Sequence, residues 1–195
     1  RVRVTCGGPE PVHDANAIRA VTLPKRLQSV GSYAFYNCRR LETLTFSGSL
    51  TDFGGDALMN CRALRHIRLH ADPAAPTCLH RVLGEHAGEL DVMFLHGGAR
   101  IRLLFPAYSE ELETLAPAHI FQRRIHGAGY GYRQCFESGV LHFRGYDLAL
   151  ESLLDRHDFS VAARVAVRRL AAPYQLADAA RAAYLDCLRA HGGAL

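Results

Sequence analysis

The chain repeats itself. Residues 18–40, IRAVTLPKRLQSVGSYAFYNCRR, set above residues 41–63, LETLTFSGSLTDFGGDALMNCRA, agree at seven positions: Thr22/Thr45, Leu27/Leu50, Gly31/Gly54, Ala34/Ala57, Asn37/Asn60, Cys38/Cys61 and Arg39/Arg62. Composition alone would give roughly one or two agreements in such a window, and a fixed period of this size marks a stacked repeat. A further step of 23 residues reaches Leu64, Ile67 and Leu69, so three turns share an LxxLxL core: Ile18/Val21/Leu23, Leu41/Leu44/Phe46 and Leu64/Ile67/Leu69. The next step lands on Ala87, Leu90 and Val92, a weaker strand still in phase. Subtracting the period places Val4 under Leu27 and Gly8 under Gly31, as though the chain begins inside an earlier turn.

The LxxLxL strand followed by Gly31-x-x-Ala34-Phe35-x-Asn37-Cys38 resembles the BspA-like leucine-rich repeat family, well over residues 18–69 and weakly over 1–17 and 70–92. The resemblance implies an α/β-type repeat, a solenoid in which each turn adds one short strand to a parallel sheet. Parallel strands need a covered crossover, and the coil supplies it. Gly31 and Gly54 are expected where the backbone bends, Ala34 and Ala57 where only a small side chain fits, and Phe35 and Leu58 in the interior. Asn37 and Asn60 are expected to satisfy backbone groups that the turn leaves unpaired. Cys38 and Cys61 should stack as small buried hydrophobes, since a disulfide or metal there would need a family core column to do other work.

If Ile18, Val21 and Leu23 point inward, the intervening positions form outward columns: Arg19/Glu42/Arg65, Ala20/Thr43/His66 and Thr22/Thr45/Arg68. The third turn is the charged one. Arg65, His66, Arg68 and His70 should project together from a rigid sheet, a candidate face for a protein partner of acidic character. An Arg-Glu-Arg ladder that merely pairs neighbours is the plainer alternative, and it contributes about 0–1 kcal/mol per exposed pair.

After Leu69 the pattern breaks at HADPAAPTCLHRVLGEH, where prolines end the array and residues 79–85 read as a short helix. Gly97-Gly98 then divides two β-rich runs, DVMFLH and ARIRLLF, as a hairpin turn would, with Ile101, Leu103 and Phe105 alternating against Arg100 and Arg102. Beyond Pro106 a short helix is expected over 110–115. Helical spacing returns at Tyr146, Ala149, Leu150, Leu153 and Leu154, over 160–170 behind an Asp158 or Ser160 cap, and from Leu176 to Leu188, with Gly192 ending the last helix. The expected organisation is a leucine-rich repeat solenoid over 1–96 and a capping region over 97–195, a hairpin followed by a small helical bundle.

Composition narrows the function classes. Hydrophobic residues at 49% and charged residues at 22% are outside the disordered range. No run approaches the roughly 18 apolar residues of a membrane-spanning helix. The net charge of +4 is spread, with 19 acidic residues among 23 basic ones, so no polybasic arm for nucleic acid or membrane stands out. Six cysteines in so regular a chain point to a reducing, cytoplasmic setting, while the opening at Arg1 inside a repeat leaves an exported parent open.

Three chemical alternatives arise. QRRIHGAGYGYRQCFESG, residues 122–139, interleaves glycine, arginine and aromatics, and Tyr130, Tyr132 and Arg133 could contact nucleic acid. The spacing departs from an RNA recognition strand at Phe136 and Arg133, and a tight glycine turn with packed tyrosines explains the stretch more simply. His126, Cys135 and His142 could supply a thiol nucleophile and base, but no nucleophile motif surrounds Cys135. His66/His70, His80/His86 and His96 lack zinc-like spacing. The sequence therefore indicates a noncatalytic protein-interaction module with no cofactor and no metal.

Overall fold

The computed structural model describes residues 3–4, 17–115 and 120–194. Its centre is a stacked array of turns, each giving one strand to a principal sheet: β2 (Ala20–Thr22), β4 (Thr43–Ser47) and β6 (His66–His70), extended by β7 (Leu90–His96) and β8 (Ala99–Phe105) in the order β2-β4-β6-β7-β8. Short strands β1 (Arg3–Val4), β3 (Ser29–Val30) and β5 (Asp52–Phe53) form a second parallel sheet on the return leg of the coil. The solenoid with 23-residue turns is thus present, Thr43 pairing with Ala20 on one side and His66 on the other.

The repeat columns explain the packing. Leu41 and Leu64, Leu44 and Ile67, Phe46 and Leu69, Ala34 and Ala57, Phe35 and Leu58 all lie in one apolar core. Cys38 and Cys61 are buried in it, and the Cys61 thiol donates to the Phe35 carbonyl at 3.1 Å. Burial pushes the Cys61 thiol up to about 12, so it is a protonated packing element at neutral pH.

Two corner assignments change. The residues that take left-handed backbone are Tyr33 and Asn37 in one turn and Asp56 and Asn60 in the next, with φ between 56° and 66°. Asparagine and aspartate tolerate that region because their side chains are short and polar. Instead of the expected bonds from these side chains to the backbone, Asn60 donates through Nδ2 to Asn37 Oδ1 at 2.8 Å, one rung of an amide ladder between turns. Gly54 is required by close approach and not by a left-handed bend, since a Cβ there would lie 2.3 Å from the Ser32 nitrogen.

Two registers also differ from strict periodicity. Ile67 pairs with Val92 and Leu69 with Phe94, two residues later than a 23-residue step, because the connection carries α1 (Leu79–Gly84). Val4 pairs with Val30 rather than stacking on Leu27. Gly8 lies outside the described residues.

The hairpin falls where expected, with Gly97 and Gly98 at φ 55° and 81° joining β7 to antiparallel β8. Residues 110–115 do not form a helix. They belong to β9 (Ser109–Leu115), which pairs in full with β10 (Ile120–His126). Arg123 pairs with Glu110, Arg124 with Glu113 and His126 with Glu111 across this ribbon, and the pairing overrides the helix propensity of the Glu/Leu run.

The C-terminal part comprises α2 (Gly129–Arg133), a small hairpin of β11 (Phe136–Glu137) and β12 (Val140–Leu141), then α3 (Phe143–Leu148), α4 (Leu150–Asp155), α5 (Phe159–Ala171) and α6 (Asp178–His191). Asp158 stands at the N-cap of α5 without a side-chain capping bond, and Gly192 at the C-cap of α6. Tyr146 seals the free edge of the main sheet. Its hydroxyl accepts from the Leu104 N–H at 3.1 Å and donates to the Leu104 carbonyl at 2.6 Å, doing for β8 what a further strand would do. The core runs without a break from Leu23 to Cys187.

Candidate functional site

Strand alternation fixes the outward face. Along β6, Ile67 and Leu69 are buried while His66, Arg68 and His70 are exposed, and Arg65 just before the strand is exposed too. The fold therefore brings all four residues to one side of the sheet. Among the described residues no acidic side chain reaches any of the four within ion-pairing distance. The expected Arg-Glu-Arg ladder stops after its first rung: Arg19 pairs with Glu42, whereas Arg65 turns to the carbonyls of Arg62 at 3.0 Å and Leu64 at 2.7 Å.

In-register pairing carries this face onto β7 and β8. His66 is opposite Asp91 and Arg68 opposite Met93, with Asp91 and Met93 opposite Leu104 and Arg102 in turn. Asp91 is nearly covered and anchors two arginines, Arg102 at 2.6 Å and Arg168 at 3.3 Å. Glu89 receives a two-pronged bond from Arg164 at 2.5 and 2.8 Å. Arg164 and Arg168 come from α5, which packs on β8 and overhangs the sheet. A cleft opens between them, lined by Arg65, His66, Glu89, Asp91, Arg102, Arg164 and Arg168. Toward β4 the face becomes neutral, with Thr43 and Ser47 half-buried.

Residues 13–74 match the family described as BspA type leucine-rich repeat region (6 copies), over a stretch that holds fewer than three of the turns seen here. These turns are BspA-type leucine-rich repeats. No curated protein and no solved structure matches the chain. The BspA-type repeats account for β2, β4 and β6, hence for the strand that presents His66, Arg68 and His70. Repeats of this family are generally noncatalytic and serve protein contact.

The stretch 122–139 is organised for packing. Tyr132 is fully buried and Arg133 nearly so. The Arg133 guanidinium donates to five carbonyls, those of Leu83, Pro106, Gly129, His86 and Gly88. An arginine has five N–H donors, so none is left for a phosphate. Tyr130 stacks edge-on against Tyr108, with Arg123 over its face. The alternative of a nucleic-acid surface at Tyr130, Tyr132 and Arg133 thus gives way to the simpler packing reading, with the glycine-rich run folded into the short helix α2 rather than a bare turn.

Cys135 is equally ill-suited to nucleophilic work. Its thiol donates to the Gly131 carbonyl at 3.4 Å, and burial raises it to about 11, away from the thiolate. The His142 imidazole faces Glu137 and the His126 imidazole faces Glu111, so neither is positioned by an ion-pair partner toward the sulfur. Among the described residues no group of three or more His, Cys, Asp or Glu side chains could hold a metal ion, and no helix is long and apolar enough to cross a membrane.

One buried histidine matters for another reason. His86 has a buried Nε2 without a partner, and burial first, then the charges of Arg133 and Arg65, lower it to about 4. Its folded value lies below the ordinary 6.5, so the unfolded chain takes up a proton that the folded chain refuses. The stability this gives is complete above pH about 6.5 and is lost as the pH falls toward 4, amounting to about 2 kcal/mol by pH 5. His86→Leu is expected to flatten the fall in unfolding midpoint between pH 7 and pH 5, read by circular dichroism; an unchanged slope would show that His86 is not the sensor.

Sequence reasoning found the β6 residues because the repeat places them. It did not find Glu89, Asp91, Arg164 or Arg168. Arg164 and Arg168 are spaced by one helical turn, which is the only local sign that they share a face. Which element that face meets is decided by how α5 docks on β8.

Proposed function

We propose that the protein is a noncatalytic protein-interaction module, with residues 1–96 forming the repeat array and 97–195 capping it. The partner docks on the outer face of the main sheet at Arg65, His66, Arg68 and His70. One observation carries this reading: four exposed cationic or imidazole side chains stand on a hydrogen-bonded sheet and, among the described residues, none of them has a carboxylate within ion-pairing distance. A sheet of this kind holds side chains with less freedom than a loop, so less entropy is lost on binding. Cys135 and Arg133, the residues with the most chemical promise in the cap, are held in packing roles.

The test is affinity capture from nuclease-treated lysate with the wild-type chain and the Arg65→Glu/Arg68→Glu double variant. The variant should lose at least about tenfold of the retained protein, since two charges reversed at an interface cost several kcal/mol. Its unfolding midpoint should stay within the about 0.5 kcal/mol typical of surface substitutions. Capture retained by the double variant would remove this face from consideration.

A further inference from the structure

The cleft between α5 and the sheet extends the β6 face and says what chemistry it accepts; this inference rests on the proposed interaction face. Among the described residues Arg65 has no acidic partner, Arg102, Arg164 and Arg168 each have one only through Glu89 or Asp91, and His66 sits on the floor between them. Three guanidinium groups therefore share two carboxylates, and a fourth, on Arg65, has none, within a single concave site. Only the Arg164 pair is two-pronged; Arg102 and Arg168 each engage Asp91 through Nε, and their Nη donors can turn to an incoming carboxylate.

We infer that the cleft receives an acidic peptide segment of the partner, and that Glu89 and Asp91 are internal stand-ins that hold the arginines in place until the partner's carboxylates replace or share them. A nucleic-acid strand fits less well. A backbone of continuous phosphates would run over Asp91 and Glu89, and the outward positions of β4, β6, β7 and β8 offer no tyrosine, phenylalanine or tryptophan on which bases could stack. Separated carboxylates on a peptide can reach the arginines one at a time, where Glu89 and Asp91 now pair with them or beside those pairs.

The distinguishing consequence is that removing an acid from the cleft strengthens binding. Glu89 is the residue to change, because its pair with Arg164 is partly exposed and its loss costs little stability. The experiment titrates a fluorescein-labelled glutamate-rich decapeptide into the full chain and follows anisotropy at low and at physiological salt, with single-stranded oligonucleotide of equal charge as the second probe. Glu89→Gln should tighten peptide binding about threefold, as a charge-assisted bond to Arg164 becomes available. Glu151→Gln, which changes the net charge equally on a helix away from the cleft, should leave it unchanged. Arg164→Ala/Arg168→Ala should weaken it about tenfold while the unfolding midpoint reports an intact fold.

Equal responses to Glu89→Gln and Glu151→Gln would overturn the inference, since only overall charge would then be at work. So would an oligonucleotide that binds more tightly than the peptide at physiological salt. Failure is separable from failure of the broader reading: partner capture that is lost in Arg65→Glu/Arg68→Glu but kept in Arg164→Ala/Arg168→Ala would preserve the interaction face and remove the cleft.

Discussion

Asp147→Ala is expected to lose about 3–5 kcal/mol of folding stability, the range found when one partner of a buried ion pair is deleted. Asp147 on α3 accepts from Arg169 Nε at 2.7 Å and Nη2 at 2.9 Å, and from the Tyr184 hydroxyl at 2.8 Å. Arg169 on α5 is wholly buried, lies 5.2 Å above the centre of the Phe143 ring and also donates to the carbonyls of Ala172 and Tyr174. Tyr184 brings in α6. One carboxylate thus ties three helices, and the guanidinium it neutralises has no route to water. Burial works against the Arg169 charge, and the Asp147 bonds outweigh it, so its pKa rises. The paired replacement Asp147→Leu/Arg169→Met should recover most of the loss, because it removes both desolvated charges together. Urea denaturation of the single and double variants checks this. A single variant within about 1 kcal/mol of wild type would mean that the helices are held by their apolar faces alone.

The ease with which different parts of this fold can be read follows from where their partners lie. In the array, the partner of each strand residue is one period away, so Thr45 and Arg68 are related by arithmetic alone. The same holds for Asn37 and Asn60, although the amide rung between them and the left-handed backbone beneath it emerge only in three dimensions. Once α1 enters the connection to β7, the arithmetic slips by two residues and Leu69 meets Phe94 instead of Val92. Nothing local marks that slip, because Leu90, Val92 and Phe94 all suit an inward position.

The ribbon of β9 and β10 shows the opposite failure. Leu112 and Leu115 stand at helical spacing among glutamates, and the competing signal is the arginines of β10, which matter only when the two strands lie side by side. The candidate site divides in the same way. Its β6 half is periodic and visible. Its α5 half depends on helix docking, and Arg164 and Arg168 are separated from their acids by more than seventy residues of chain.

Arg133 is the residue whose role changes most, and its replacement should be among the most damaging. From sequence it is a cation in a glycine and tyrosine run; in the fold it is the bolt between array and cap. It reaches Leu83, His86 and Gly88 at the end of the last turn, Pro106 after the sheet, and Gly129 at the start of its own helix, with its guanidinium 4.8 Å from the centre of the Tyr108 ring. Burial lowers its pKa to about 10, which still leaves it charged at neutral pH. Arg133→Met would fill similar volume and take a donor from five carbonyls, three of them in buried bonds, for an expected cost of about 3–5 kcal/mol. Arg133→Lys should recover little, because an ammonium has three donors and no planar fork, while the carbonyls approach from several directions. Guanidinium denaturation gives the size of the loss, and amide exchange locates it: protection should fall first in the segments around 83–88 and 106–108 and last in β4 and β6. A lysine variant within about 1 kcal/mol of wild type would show that charge suffices and the fork does not matter.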